Sequence, residues 1–155
     1  MKALGWAIPG LLAVVLGVSI LTGTQQSGPR VIHVVDGDTI EVEFDDGRVE
    51  TVRYIGVDTP EMDDRPQGDL AKLANKRLVD GKTITMKKDV SDRDQFGRLL
   101  RYVYVDKAFI NAELVRLGRA RAKDYPPDTK HSKLLHRLQS QAQKARVGLW
   151  AAQTE

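Results

Sequence analysis

The sequence predicts an α+β domain: a five-stranded Greek-key β-barrel of OB type with three α-helices, preceded by an N-terminal hydrophobic helix. Three observations predict it. Short runs of alternating apolar and polar residues, punctuated by Asp-Gly turns, fill the first part of the domain. One helical pattern stands between the third and fourth of five strand patterns, and two more follow the fifth. An uncharged apolar stretch, residues 4–21, precedes them all.

That stretch, LGWAIPGLLAVVLGVSIL, spans ~27 Å as a helix at ~1.5 Å per residue, enough to cross a membrane core. Lys2 lies before it and a polar segment after it, so the positive-inside rule exports everything downstream. No A-x-A site ends the run, which favours an uncleaved signal anchor over a cleaved signal peptide. The domain reading is therefore 1–23 signal peptide or signal anchor, 24–29 linker with Gly and Pro, and 30–152 folded domain. The expected location is extracytoplasmic, membrane-anchored through the N-terminal helix if uncleaved and secreted if cleaved.

Within the domain, residues 31–35 read as a buried strand, with His33 as a packed residue. Asp36-Gly37-Asp38 turns the chain into 39–44, where Ile40, Val42 and Phe44 share one face. Asp45-Asp46-Gly47 leads into a third strand over 48–57. After an Asp-rich loop, Leu70, Leu73, Ala74 and Leu78 take the spacing of an amphipathic helix over 69–79. Strands are expected over 83–87 and 98–105, then helices around 110–117 and 133–145. The single domain matches the length of 155 residues.

The absence of cysteine excludes a disulfide scaffold, thiolate zinc, iron–sulfur clusters and a Cys nucleophile. His131 and His136 are five apart and do not share a helix face as a zinc pair would. Charge is divided along the chain. Residues 31–64 hold eleven acids and two bases, while residues 115–147 hold nine Lys/Arg and two acids. A cation site in the first part and a polyanion-facing surface in the second would account for the split.

Candidate chemistry lies at the strand ends. If the first and third strands flank one end of the barrel, Asp38, Asp58 and Glu61 converge there. Close carboxylates repel and want a cation, and oxygen-only ligands suit Ca²⁺ or Mg²⁺, with the Thr59 carbonyl able to complete the shell. Arg53 sits mid-strand among apolar neighbours and requires an anionic partner. Arg98, after Asp94-Gln95-Phe96-Gly97, is a second guanidinium able to grip phosphate. The Asp36-x-Asp38 pair after an apolar strand also approximates a haloacid-dehalogenase-type motif, but the hairpin pattern does not supply that parallel fold.

Several motifs run through the domain: V-D-G-D-T-I at 35–40, R-Y-I-G-V-D-T-P-E at 53–61 and D-x-F-G-R-L-L-R-Y-V-Y at 94–104. I-N-A-E-L-V-R-L-G-R-A follows at 110–120, and A-x-x-x-x-x-G-L-W at 142–150. Together they resemble the staphylococcal nuclease (thermonuclease) family. The resemblance implies Ca²⁺-dependent, sugar-nonspecific hydrolysis of phosphodiesters in DNA and RNA that leaves 3′-phosphates. The expected substrate is single-stranded or unpaired, and the expected protein a monomer. It implies calcium ligands at Asp38, Asp58 and Thr59, catalytic roles for Arg53, Glu61 and Arg98, and substrate contacts at Lys123 and Tyr125. Phe96, Gln95 and Lys123 depart from residues common in the family. The rival expectation is a catalytically silent binding module on the same fold, although all six metal and catalytic positions are filled.

Overall fold

The computed structural model describes residues 27–151. The apolar run at 4–21, with its signal or anchor reading, lies outside the described residues. Among the described residues no helix is long and apolar enough to cross a membrane.

Among the described residues eight strands and three α-helices follow one another as β1 (Arg30–Val34), β2 (Thr39–Glu43), β3 (Val49–Tyr54), β4 (Val57–Asp58), α1 (Gln67–Val79), β5 (Thr85–Lys87), β6 (Leu99–Val105), β7 (Ala108–Phe109), α2 (Ile110–Arg116), β8 (Arg121–Ala122) and α3 (Ser132–Lys144). The main sheet runs β1-β2-β3-β6-β5, with β7 paired to β6, and β4 and β8 form a separate pair. β3 and β6 are parallel, with Arg53 beside Leu100. The other pairings are antiparallel. The mixed sheet and three helices agree with the expected class.

Closure differs from the expected five-stranded barrel. The sheet edges meet at a single bridge, Arg30 with Thr83, beside Val31 N–H to Lys82 O and Ile84 N–H to Pro29 O, each 2.9 Å. β5 has three residues and a bulge between Val31 and His33 turns β1 off line, so no continuous ladder joins these edges. The expected third strand over 48–57 also divides, because Ile55 and Gly56 turn the chain between β3 and β4.

The same bulge turns His33 and Ile32 outward, so His33 is exposed rather than packed as its apolar setting suggested. α1 also departs from its leucine pattern. Its buried stripe is Gly68, Ala71, Asn75 and Val79, while Leu73 is 42% exposed. Small and polar residues face inward because α1 lies against backbone. A Cβ at Gly68 would run into the Glu61 carbonyl oxygen. Asn75 accepts the Tyr54 hydroxyl at 2.9 Å and donates to the Asp36 carbonyl at 3.0 Å. These bonds satisfy buried polar groups that would otherwise be costly.

One core joins sheet and helices, with Val31, Ile40, Val52, Val103, Leu114 and Leu135 all nearly solvent-free. At its far end a 3₁₀ turn, Gly148–Trp150, clasps the end of α2. The Leu149 N–H donates to the Gly118 carbonyl at 2.8 Å, and a Cβ on either Gly118 or Gly148 would strike the other segment's backbone. Both glycines also have positive φ, a conformation that side chains resist.

Candidate active site

The β1–β2 turn aims Asp38 inward. The Asp36 carboxylate accepts the Asp38 N–H at 2.9 Å, and the Val35 N–H bonds the Thr39 carbonyl at 3.0 Å. Asp38 is left 4% exposed. Its Oδ2 accepts both the N–H and the hydroxyl of Thr59 at 2.8 Å, which ties the turn to the segment after β4. Its Oδ1 faces Arg53 Nη1 at 3.0 Å. Burial pushes the Asp38 carboxyl up to about 6, against the pull of the Arg53 charge, with Asp36 adding to the rise and the Thr59 bonds opposing it.

Arg53 has the anionic partners its setting demands. Nη2 meets Asp58 Oδ1 at 3.2 Å, and Nη1 also donates to the carbonyls of Tyr54 and Val57 at 3.0 and 3.1 Å. One guanidinium thus bridges Asp38 and Asp58, which belong to different turns. Asp58 receives two further groups. Lys123 Nζ stands 3.1 Å from Oδ2, and the Tyr125 hydroxyl 3.4 Å from Oδ1. The β4–β8 pairing, Asp58 opposite Arg121, brings them there.

Arg98 comes to the same region because β6 starts beside the end of β3. Its Nε donates to Asp94 Oδ2 at 2.7 Å, while Asp94 Oδ1 accepts the N–H groups of Phe96 and Arg98 at 2.9 and 3.0 Å. Burial alone would raise the Asp94 carboxyl. The Arg98 side chain and these N–H groups outweigh it and hold the carboxyl below its usual value. Arg53, Arg98, Phe96, Leu100, Tyr125 and Asp128 are among the residues lining one cleft of about 410 Å³. Phe96 is 74% exposed, a ring presented to solvent beside the Arg98 guanidinium. Asp128 ties the loop after β8 to the loop after β5, since its Oδ1 accepts the N–H groups of Val90 and Ser91 at 2.9 and 2.8 Å.

Of the residues singled out in the sequence, Asp38, Thr59, Arg53, Asp58, Lys123 and Tyr125 form one connected network. Arg98 lines the cleft beside Arg53. Glu61 stands apart: it is exposed on the loop after β4 and makes no ion pair among the described residues. Three supports escaped the sequence reading: Asp94, Asp128 and Asn75. The spacing of Asp94 four residues before Arg98 was the available signal for the first. The 68/71/75/79 stripe signalled Asn75 but was masked by leucines.

Two carboxylates converging on the Arg53 guanidinium, with no cysteine in the chain, suit a hard oxygen-preferring ion. Among the described residues no three His, Cys, Asp or Glu side chains cluster to hold a metal by themselves. Such an ion would need further oxygen ligands, the expected Thr59 carbonyl and water, as well.

Comparison with known proteins gives the family. The model of the staphylococcal nuclease homologue family matches residues 51–152. A thermonuclease of Staphylococcus hyicus is 36% identical over 136 residues, covering 84% of this chain and 80% of that protein. A thermonuclease of Staphylococcus intermedius is 38% identical over 125 residues, 77% of this chain and 74% of its own. Endonuclease YncB of Bacillus subtilis (strain 168) is 38% identical over 126 residues, 77% of this chain and 59% of its own. On the family match and these identities, the chain belongs to the staphylococcal nuclease homologue family.

Proposed function

We propose that this protein is a Ca²⁺-dependent, sugar-nonspecific nuclease that hydrolyses phosphodiester bonds of single-stranded or unpaired DNA and RNA and leaves 3′-phosphates. The observation that carries the reading is the Arg53 guanidinium, held between Asp38 and Asp58 at a cleft also lined by Arg98. Kinship with proteins named thermonuclease and endonuclease supports it.

Asp38, Asp58 and the Thr59 carbonyl would hold the cation. When bound, it supplies Lewis-acid neutralisation of a phosphate oxygen. The protein groups do the remainder. Arg53 and Arg98 grip the scissile phosphate and the charge that develops on it. Glu61 orients or deprotonates the attacking water. The water oxygen bonds to phosphorus, the bond from phosphorus to the 5′ oxygen breaks, and that oxygen leaves as an alcohol, taking its proton from solvent water. Lys123 and Tyr125 contact the neighbouring nucleotide, and Phe96 offers a face for stacking. The apolar run at 4–21 would deliver the domain outside the cytoplasm as a monomer, anchored or secreted.

The test is cleavage of single-stranded DNA by the purified chain with Ca²⁺ and then with chelator. Cleavage lost in chelator and restored by Ca²⁺ supports the reading, and full activity in chelator overturns the metal assignment. Strand binding without cleavage under any divalent ion identifies a silent binding module instead.

A further inference from the structure

α3 differs from the rest of the surface in how its charge is arranged. Its sequence, SKLLHRLQSQAQK, contains no acid. Leu135 and Ala142 face the core. At ~100° per residue, Lys133, Arg137 and Lys144 all lie within roughly 20° of the direction opposite Leu135. They form one outward stripe, spaced ~6 and ~10 Å along the helix axis. All three are exposed. At the ends of α1, by contrast, Lys76 stands by Asp80 just beyond the helix, and Arg65 just before it reaches Asp69.

Acids from the neighbouring elements are engaged elsewhere. Among the described residues Glu113 pairs with Arg116. Asp124 accepts the Ser132 hydroxyl at 2.6 Å and lies 3.2 Å from His136 Nε2, on the flank facing β8. Asp128 is buried and bound to the Val90 and Ser91 N–H groups. Among the described residues no acid therefore pairs with the stripe. The helix that carries it is joined, through its inward flank, to the segment that leads to the cleft. The Ala122 N–H donates to Gln139 of α3 at 2.8 Å, and Lys123, the next residue of the chain, reaches Asp58. Exposed Arg121 lies on the same short strand.

We propose that the outward face of α3, carried by Lys133, Arg137 and Lys144, is a phosphate-contacting track for the part of a single-stranded polynucleotide that runs beyond the cleft. This rests on the nuclease reading and extends it to substrate length. An anionic membrane suits the face less well, because interfacial helices bury an apolar side in lipid and the apolar side of α3 is spent on the core. Ser140 and Gln141 flank the stripe and offer hydrogen bonds rather than apolar surface.

The experiment compares wild type with the combined variant Lys133→Gln, Arg137→Gln, Lys144→Gln in the full chain, with melting temperatures matched. Binding of a labelled single strand of about 30 nucleotides is measured in chelator across a salt series. Loss of three phosphate contacts should make the slope of log K against log salt shallower by about 2 and weaken binding roughly tenfold at low salt. Cleavage of a trinucleotide, which is too short to reach α3, should stay within about twofold. The charge-keeping variant Lys133→Arg, Arg137→Lys, Lys144→Arg should bind the long strand like wild type. An unchanged salt slope, or equal losses on long and short substrates, overturns the track. So does a variant that loses only its binding to anionic vesicles. A chain that cleaves nothing but still shows the slope change refutes the nuclease reading and leaves the track standing.

Discussion

Asp94 holds Arg98 through Nε, at 2.7 Å, and among the described residues no acid claims the two terminal nitrogens of that guanidinium. The same carboxylate fixes the turn that carries Arg98, through the N–H groups of Phe96 and Arg98 itself. The side chain is thus oriented from behind, with its fork turned to the cleft. A lysine there keeps the charge and loses both the anchor and the fork. Arg98→Lys should lower kcat by ~10² or more, the scale of removing one oriented donor. Its melting temperature should move little, because the ion pair is part-exposed. Single-turnover cleavage beside a thermal melt checks this. An early melt with wild-type cleavage while folded would show that Arg98 is only an ion-pair partner.

Lys123 Nζ competes for the carboxylate that would hold the cation, standing 3.1 Å from Asp58 Oδ2. Both partners are substantially exposed, so the pair is worth no more than about 1 kcal/mol. Lys123→Gln should therefore tighten Ca²⁺ binding by up to about fivefold. Calorimetric titration of the variant reads it directly, and weaker Ca²⁺ binding would contradict the competition.

Glu61→Gln keeps size and removes basicity. The side chain is exposed, so the fold should survive while kcat falls by ~10²–10⁴ if Glu61 serves the attacking water. Activity within about threefold of wild type would make Glu61 a loop residue held by its backbone against Gly68.

Asp128 gives a pH signature. Burial alone would raise its carboxyl, and the Ser91 and Val90 bonds more than offset this, so its folded value lies below the usual one. A depressed carboxylate contributes stability that is fully present above the unfolded value, about 3.9. That contribution is lost as pH falls through the folded value. Asp128→Asn should cost about 1 kcal/mol at neutral pH, the difference between charged and neutral hydrogen bonds. The gap to wild type should close in acid. Denaturant titrations at pH 7 and pH 3 measure it, and a gap independent of pH would assign the loss to packing.

The fold was legible wherever local periodicity and tertiary demand agreed. β2 alternates cleanly, and Ile40 and Val42 are buried as its pattern requires. Where the two diverged, the sequence misled. The leucines of α1 announced one face, yet Asn75 and Gly68 occupy the interior because the helix meets backbone turns there. β1 read as buried, and its bulge exposes Ile32 and His33. At the site, Arg53 was legible because a charge amid apolar residues must be paired. Asp94 and Asp128 were not, because an aspartate in a polar loop looks the same whether it holds a neighbouring turn or merely faces water.

The clasp between Gly118 and Gly148 has a consequence for how the chain tolerates trimming. It joins the end of α2 to the turn beyond α3, and α3 in turn holds β8 through Gln139. Removing Gly148–Trp150 would unlatch α3, loosen β8 and withdraw Lys123 and Tyr125 from Asp58. A protease nick ahead of Gly148, far along the chain from both aspartates, would in this way disarm the cleft without touching a residue that lines it.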